Sequence, residues 1–505
     1  MIDTCPPARF RRSLTTAVVI GLLPLATHAQ SRGFHDESDR LPLAHRYEGG
    51  MEYALGGGLA VFDCNGDGLP EILAAGGAGP ARLFVNRSEP LGALAFEEGA
   101  LPVESALGVI GAYALDIDDD GMTDLAVLRR GENAFLRGDG ACGFEEATQA
   151  WGLENAPEAS FGFAAYWALG DSRPTLAIGN GMRLGGDAGP RLECAPAQLY
   201  TPDATGFAQS DIFGPSCALS MAFARAPDGK IALRWLDDPA VSGDGNGEDV
   251  MVDPLSGDLF ATGASAPLGG HALAVVDVTG DGVADLVETG VGAQKILETT
   301  LGGFTEVALG QARSRARNAA GQTTGWAPAV GDVDNDGRVD VFVSKGYRDE
   351  TGDTAKQDPD SLYMQAAQGW EDVSAIAGLD RVANGRGAVL ADLNGDWKLD
   401  LVVLNRDAPM GLYRNTLRNA NHFLGISLSQ PAPNRSAVGA MVEVRAGSTQ
   451  VLQRRIGGGL SGGSDLPLHV GLGPYTQAQL RVTWPDGAIT DWQNVNADQW
   501  VLLAR

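Results

Sequence analysis

Five times along the chain a short apolar run passes through an acidic loop into a second apolar run. The five segments are AVFDCNGDGLPEIL, ALDIDDDGMTDLAV, VVDVTGDGVADLVE, VGDVDNDGRVDVFV and LADLNGDWKLDLVV. Runs this short, bounded by Asp, Asn and Gly, read as strands joined by tight turns. Two faded copies, AAYWALGDSRPTLAI and MAFARAPDGKIALRW, fall in the gap between the second and third, with Trp167 and Ala224 where the others carry their first acid. Seven units at spacings of 51 to 60 residues result. Each also carries a later pair of strand-like pieces, such as NAFLRGDGACGFEEAT and SLYMQAAQGWEDVS. Four short strands per unit predict an all-β fold, a seven-bladed β-propeller over residues 34–418; the alternative is an open solenoid. The stretch AHRYEGG, residues 44–50, reads as a last strand without its beginning, and the seventh unit stops after GLYRNT. The N-terminal strand is therefore expected to complete the seventh unit and close the ring, leaving no open edge.

In the five intact loops, oxygen-bearing side chains stand at positions 1, 3, 5 and 9. They are Asp63, Asn65, Asp67 and Glu71; Asp116, Asp118, Asp120 and Asp124; Asp277, Thr279, Asp281 and Asp285; Asp332, Asp334, Asp336 and Asp340; and Asp392, Asn394, Asp396 and Asp400. Calcium takes six to eight oxygens, and alternate residues of a tight loop can turn theirs inward. About five structural calcium sites are the expectation, against the plainer reading that Asp-Asn-Gly clusters are only hairpin turns. Gly68, Gly121, Gly282 and Gly337 stand at position 6, where the backbone bends sharply. Trp397 replaces that glycine in the fifth loop, and Thr279 offers only a hydroxyl in the third. The faded units, with Trp167 and Ala224 at the first position, are expected to hold no metal.

Residues 421–505 alternate apolar and polar side chains in LGISL, MVEVRA and LRVTW, the pattern of a small β-sandwich-like domain. Residues 1–29 read as a signal peptide, with Arg9, Arg11 and Arg12 ahead of an apolar core and a small-x-small site before Gln30. No later segment is apolar for long enough to span a bilayer. An exported protein, periplasmic or extracellular, is the expectation. Beyond the signal, Cys64, Cys142, Cys194 and Cys217 permit two disulfides; three pairings are possible, with Cys194–Cys217 favoured because it brackets one short segment. A formal net charge of −27 excludes nucleic acid as a natural partner.

The residue six before each first-acid position is expected to ring one mouth of the channel. Phe161, His271, Trp326 and Arg386 are the candidates there to stack on and hydrogen-bond a ligand, the alternative being ordinary packing. Arg129, Arg130, Lys345, Tyr347, Arg348 and Arg406 are expected on the same face, as a basic cluster or as solvated side chains. Arg137-Gly138-Asp139 spells an integrin-recognition tripeptide but falls where other units have a hairpin turn. No catalytic motif appears in a fitting context. A non-catalytic binding or adhesion module for an extracellular or periplasmic protein or glycan is thus preferred to a carbohydrate-active enzyme, a polysaccharide lyase or hydrolase, for which only His271 falls near the mouth.

The repeats resemble FG-GAP/VCBS repeats, as in integrin α-subunit propellers. The stretch NHFLGISLSQPAPNRSAVGAMVEVRAG with LHVGLG, RVTWPDG and NVNADQ resembles the ASPIC/UnbV domain. The combination is similar to the cartilage acidic protein family, including its bacterial members. That resemblance implies a calcium-binding propeller followed by a small β domain, and no established reaction.

Overall fold

Each acidic loop joins two strands that are buried along most of their length, so they must be covered on both sides. The architecture follows from that demand. A computed structural model describes residues 33–155, 157–182, 194–204, 206–225, 231–237, 250–252, 259–261, 270–292, 294–300, 303–309, 323–347 and 358–505. The signal segment 1–29 and Arg348 lie outside the described residues.

The strands from 34 to 415 group into seven antiparallel units of four strands. Unit 1 runs Leu59–Phe62, Glu71–Ala74, Arg82–Asn86 and Phe96–Glu98, and unit 2 begins with Val109–Leu115 and Asp124–Arg129. Units 3 to 6 begin with Ala159–Tyr166, Ala218–Arg225, Gly270–Val276 and Gly325–Gly331. Unit 7 consists of Gly385–Ala391, Asp400–Asn405 and Gly411–Asn415, completed by Phe34–Asp36. The first strands of successive units touch in order, and that of unit 7 touches that of unit 1, so the units run round a closed ring. Burial falls outward: every residue of Val109–Leu115 is buried, whereas Glu97 and Glu98 in the fourth strand of unit 1 are exposed.

The strand that completes unit 7 differs from the expectation in position. Phe34 pairs with Asn415 and Asp36 with Tyr413, while residues 44–50 make only isolated bridges, Tyr47 with Arg406 and Glu48 with Gly77. Those bridges stitch unit 7 to unit 1, and Tyr47 is fully buried between them. Phe34 and Tyr47 both reach the core, and what marks the earlier strand is its ladder along Gly411–Asn415.

Residues 422–504 form a three-stranded and a four-stranded sheet around a core of their own, with Leu424, Val442, Leu480 and Leu503 in one cluster. Period-two burial in Gln477–Thr483 matches the alternation of its sequence. The two sheets fit the β-sandwich-like reading. Residues 32–505 nevertheless behave as one unit.

The reason is an insertion. Ile456–Gly457 pairs with the first strands of units 3 and 4, Gly459 bridges Leu273 of unit 5, Gly462–Gly463 pairs with unit 2, and Asp465 bridges Phe62 of unit 1. Residues 456–465 thus run along the inner strands of five units. Tyr113 Oη donates to the Gly458 carbonyl at 3.0 Å and Ser220 Oγ to the Gly459 carbonyl at 2.7 Å, satisfying backbone that would otherwise be buried unpaired. Leu460 joins the cluster containing Ile110, Phe161, Leu219 and Trp326. Only glycine fits here: a Cβ on Gly58 or Gly111 would lie 1.9 or 1.6 Å from the Ser461 carbonyl oxygen. Nothing in the local pattern of 456–465 signals this role.

The favoured disulfide, Cys194–Cys217, ties unit 3 to the start of unit 4. The remaining pair, Cys64–Cys142, ties unit 1 to unit 2 across a separation of 78 residues. No described helix is long and apolar enough to cross a membrane.

Candidate cation-binding face

The five loops share one hydrogen-bond plan. The carboxylate at position 1 accepts from the position-6 N–H, donated by Gly68, Gly121, Gly282, Gly337 and Trp397 at 2.7–3.0 Å. The acid at position 9 accepts from the position-2 N–H of Cys64, Ile117, Val278, Val333 and Leu393 at 2.8–3.1 Å. Position 5 accepts from position 7 at 2.8–3.2 Å in every case. These bonds hold the acids of each loop close to one another. Carboxylate oxygens of Asp116, Asp118 and Asp124, and of Asp332, Asp334 and Asp336, lie within 4.8 Å of each other. Among the described residues, the other three loops form no such three-carboxylate group; Asn65, Thr279 and Asn394 stand at their third position.

Burial sets the electrostatics. Desolvation pushes Asp124 and Asp340 up to about 8 and Asp116 and Glu71 to about 7, with neighbouring carboxylates adding to the effect and backbone N–H donors opposing it. Asp392 rises to about 6, and Asp332 and Asp400 rise strongly for the same leading reason. Among the described loop residues, Asp118 Oδ1 stands without a hydrogen-bond partner, on a side chain 9% exposed. Buried carboxylate oxygens left unpaired are costly, and a hard cation satisfies them. The donor set is all oxygen, so the residues present fit calcium.

Cys64, Glu71 and Cys142 also converge, with Cys64 Sγ 3.1 Å from Glu71 Oε2, but both sulfurs belong to the disulfide. Arg137-Gly138-Asp139 serves the second loop: Arg137 Nε donates to Asp118 Oδ2 at 2.8 Å and the Gly138 N–H to Asp124 Oδ1 at 3.0 Å. Asp139 Oδ1 closes the hairpin by accepting from Ala141 and Gly143. The tripeptide is the end of a paired strand running into its hairpin, with Arg137 opposite Glu145 and Gly138 opposite Phe144.

Trp397 has an explanation that the sequence alone lacks. At φ +69° it occupies the backbone region of the glycines it replaces, and its ring stacks on Phe423 at 4.9 Å and tilts against Trp500 at 5.8 Å. Left-handed backbone costs a non-glycine residue about 1–2 kcal/mol, whereas the buried ring area and aromatic pairs contribute about 2–4 kcal/mol. Trp397→Gly is accordingly expected to lower stability by about 1–2 kcal/mol in thermal unfolding, although glycine suits the turn. An increase would show that strain outweighs stacking.

The opposite end of the channel is closed. Phe161, His271, Trp326 and Arg386 are each 0% exposed. His271 stacks on Trp326 at 4.1 Å and the Arg386 guanidinium lies 3.8 Å from the Trp326 ring centre, while Phe161 packs in the apolar cluster beside Leu460. Three of the four come together, but as a packed layer rather than an open mouth, because their long side chains fill the space that a ligand would need. His271 Nδ1 is 2.8 Å from the Gly325 carbonyl, so the histidine on which a catalytic reading leaned has no solvent-facing edge. The expected basic cluster is split: Lys345 and Arg406 are buried, with Lys345 Nζ 3.9 Å from Asp358 and Arg406 Nη2 donating to the Gly49 carbonyl, whereas Arg129 and Tyr347 are half-buried and Arg130 is exposed.

Residues 430–505 match the family model described as ASPIC and UnbV, and residues 63–127 match that described as FG-GAP-like repeat. The chain carries both elements. The repeat match takes in the first two acidic loops, and the C-terminal match takes in the inserted segment. Cartilage acidic protein 1 of Mus musculus is 24% identical over 483 residues, 85% of this chain and 70% of that protein. Its Xenopus tropicalis counterpart is 27% identical over 215 residues, 39% of this chain and 30% of that protein. Among solved structures, the extracellular domain of a putative one-component system of B. thetaiotaomicron has a TM-score of 0.41 at 10% identity, covering 94% of this chain and 59% of that one. BBS1N in complex with ARL6DN has a TM-score of 0.41 at 9% identity, covering 72% and 92%.

Proposed function

We propose that this chain is an exported, calcium-stabilised binding module, its seven units the blades of one propeller and its partner a protein or glycan outside the cytoplasm. The observation that supports it most is the buried, unpartnered Asp118 Oδ1, within a loop that holds Asp116, Asp118 and Asp124 together. Two disulfides suit an oxidising compartment. The cation's role on this reading is structural: it cancels repulsion among the loop acids and fixes the turns between the first two strands of five units.

Calorimetric titration of the metal-stripped mature protein with calcium tests this. Binding is expected, with dissociation constants on the order of 10⁻⁴–10⁻³ M, the range of extracellular calcium modules. Asp118→Asn and Asp334→Asn should each weaken or abolish one site and leave the others. Absence of heat, together with no calcium in the purified protein, sinks the proposal and returns the loops to simple turns. With calcium bound, glycan-array and protein-capture screens run with and without the ion identify the partner class.

A further inference from the structure

The C-terminal sheets rest on the acidic loops themselves. His469 Nε2 lies 2.7 Å from Asn335 Oδ1, the Gly473 N–H donates to the Asn335 carbonyl at 2.8 Å, and Asn421 Nδ2 donates to the Asp334 carbonyl at 2.9 Å. Arg435 Nε reaches the Asp119 carbonyl of the second loop at 2.9 Å. Gly471 comes so near that a Cβ there would lie 2.0 Å from Asp332 Oδ2 and 2.5 Å from the Asn335 backbone. With the Trp397–Phe423 stack, the second, fourth and fifth loops are all held from this side. The remaining space is a cavity of about 610 Å³, walled by Asp63, Asp277, Asp332 and Asp392 on the ring side and by Leu452 and Trp500 on the other.

The segment entering the ring begins at the same contact. Arg455 Nη1 donates to the Val275 carbonyl at 2.7 Å, two residues before Asp277, and its Nε to the Phe223 carbonyl at 3.2 Å; Ile456 and Gly457 follow at once between units 3 and 4.

We infer that cation binding in the loops and seating of the C-terminal sheets are coupled, so that the cation keeps residues 456–465 inside the ring. The inference rests on the calcium reading above. The docking contacts fall on loop backbone at Asp119, Asp334 and Asn335, whose placement is set by how the loop folds around its acids. Without a cation, the carboxyls of Asp332, Asp334 and Asp336, within 4.8 Å of one another, have nothing to bridge them, and the surface on which Gly471, Gly473 and His469 sit is no longer held. A cation that favours the docked shape must, by reciprocity, bind more tightly when the sheets are docked.

Hydrogen exchange of the mature full chain, in millimolar calcium and in excess EGTA, reads the first half of the coupling. Amides of residues 456–465 are expected to exchange about tenfold faster or more in EGTA, while Asp124–Arg129 and Gln477–Thr483 stay protected and show that both sheet systems remain folded. The second half is read by calorimetry on the Phe423→Ala/His469→Ala variant, where the calcium affinity of one or more sites should fall about tenfold. Unchanged exchange at 456–465 while calcium is seen to bind overturns the coupling and leaves the calcium reading standing. Absence of calcium binding overturns both. Should EGTA open every strand at once, the affinity measurement decides: an unchanged constant in the double variant overturns the coupling.

Discussion

In excess chelator at pH 8 the mature protein is expected to melt about 2–7 °C below its midpoint in millimolar calcium. Each site with a dissociation constant of about 10⁻⁴–10⁻³ M adds about 0.4–1.4 kcal/mol at that concentration, so five add about 2–7 kcal/mol. The pH dependence supplies a second signature, because Asp124 and Asp340 are pushed up to about 8 and Asp116 and Glu71 to about 7 in the folded chain. Unfolded carboxyls titrate near pH 4. Between roughly pH 4 and 8, therefore, the metal-free folded state holds more protons than the unfolded one, and its stability falls as pH rises through that window. Calcium binds the deprotonated acids, so its stabilisation grows over the same interval. Melting curves in chelator should drop from pH 5 to pH 8, and the gap to the calcium curve should widen. A gap independent of pH would mean that the loop acids are not the ligands.

Gly111→Ala carries the other large effect. The added methyl would stand 1.6 Å from the Ser461 carbonyl oxygen, backbone against backbone, with no flexible side chain to move aside. Either the inner strand of unit 2 shifts or residues 456–465 leave the ring, and in both cases the loss is expected to exceed about 4 kcal/mol. Gly66→Ala is the control. Gly66 sits at positive φ, +72°, but a Cβ there would have nothing within 4 Å, so only the backbone penalty of about 1–2 kcal/mol applies. Chemical denaturation of the two variants separates close approach from conformational preference. Equal losses would place the inserted loop less tightly than the structure does.

What could be read from the chain is what repeats or lies close together. The acidic loops announce themselves because the same four positions recur five times, and Cys194 with Cys217 because little chain separates them. The inserted segment is hidden for the opposite reason. Gly457 meets Ala164 and Ala222, and Gly462 meets Ala112, partners hundreds of residues away that leave no mark on local periodicity. A run of glycines looks like a flexible connection until its neighbours are known. Position counting does bring His271, Trp326 and Arg386 to one place, but it cannot weigh volume, and an imidazole, an indole and a guanidinium stacked together close the channel they were expected to line. The closing strand lies about ten residues before the expected one because Tyr47 and Phe34 are both buried, and only pairing with Asn415 distinguishes them.

Phe34–Asp36 has its hydrogen-bonding partner almost four hundred residues downstream, in Gly411–Asn415. The beginning of the ring is therefore also its clasp, and it cannot fasten while the chain is still being delivered. A polypeptide ended between Asp372 and Gly411 has six units that can form and a seventh that cannot, with Phe34 left facing water. Closure so dependent on distant residues makes assembly slow and strongly cooperative. Removing the first strand should thus be felt across the molecule at unit 7, and a cut in the middle of the ring tolerated better than a trim at its start.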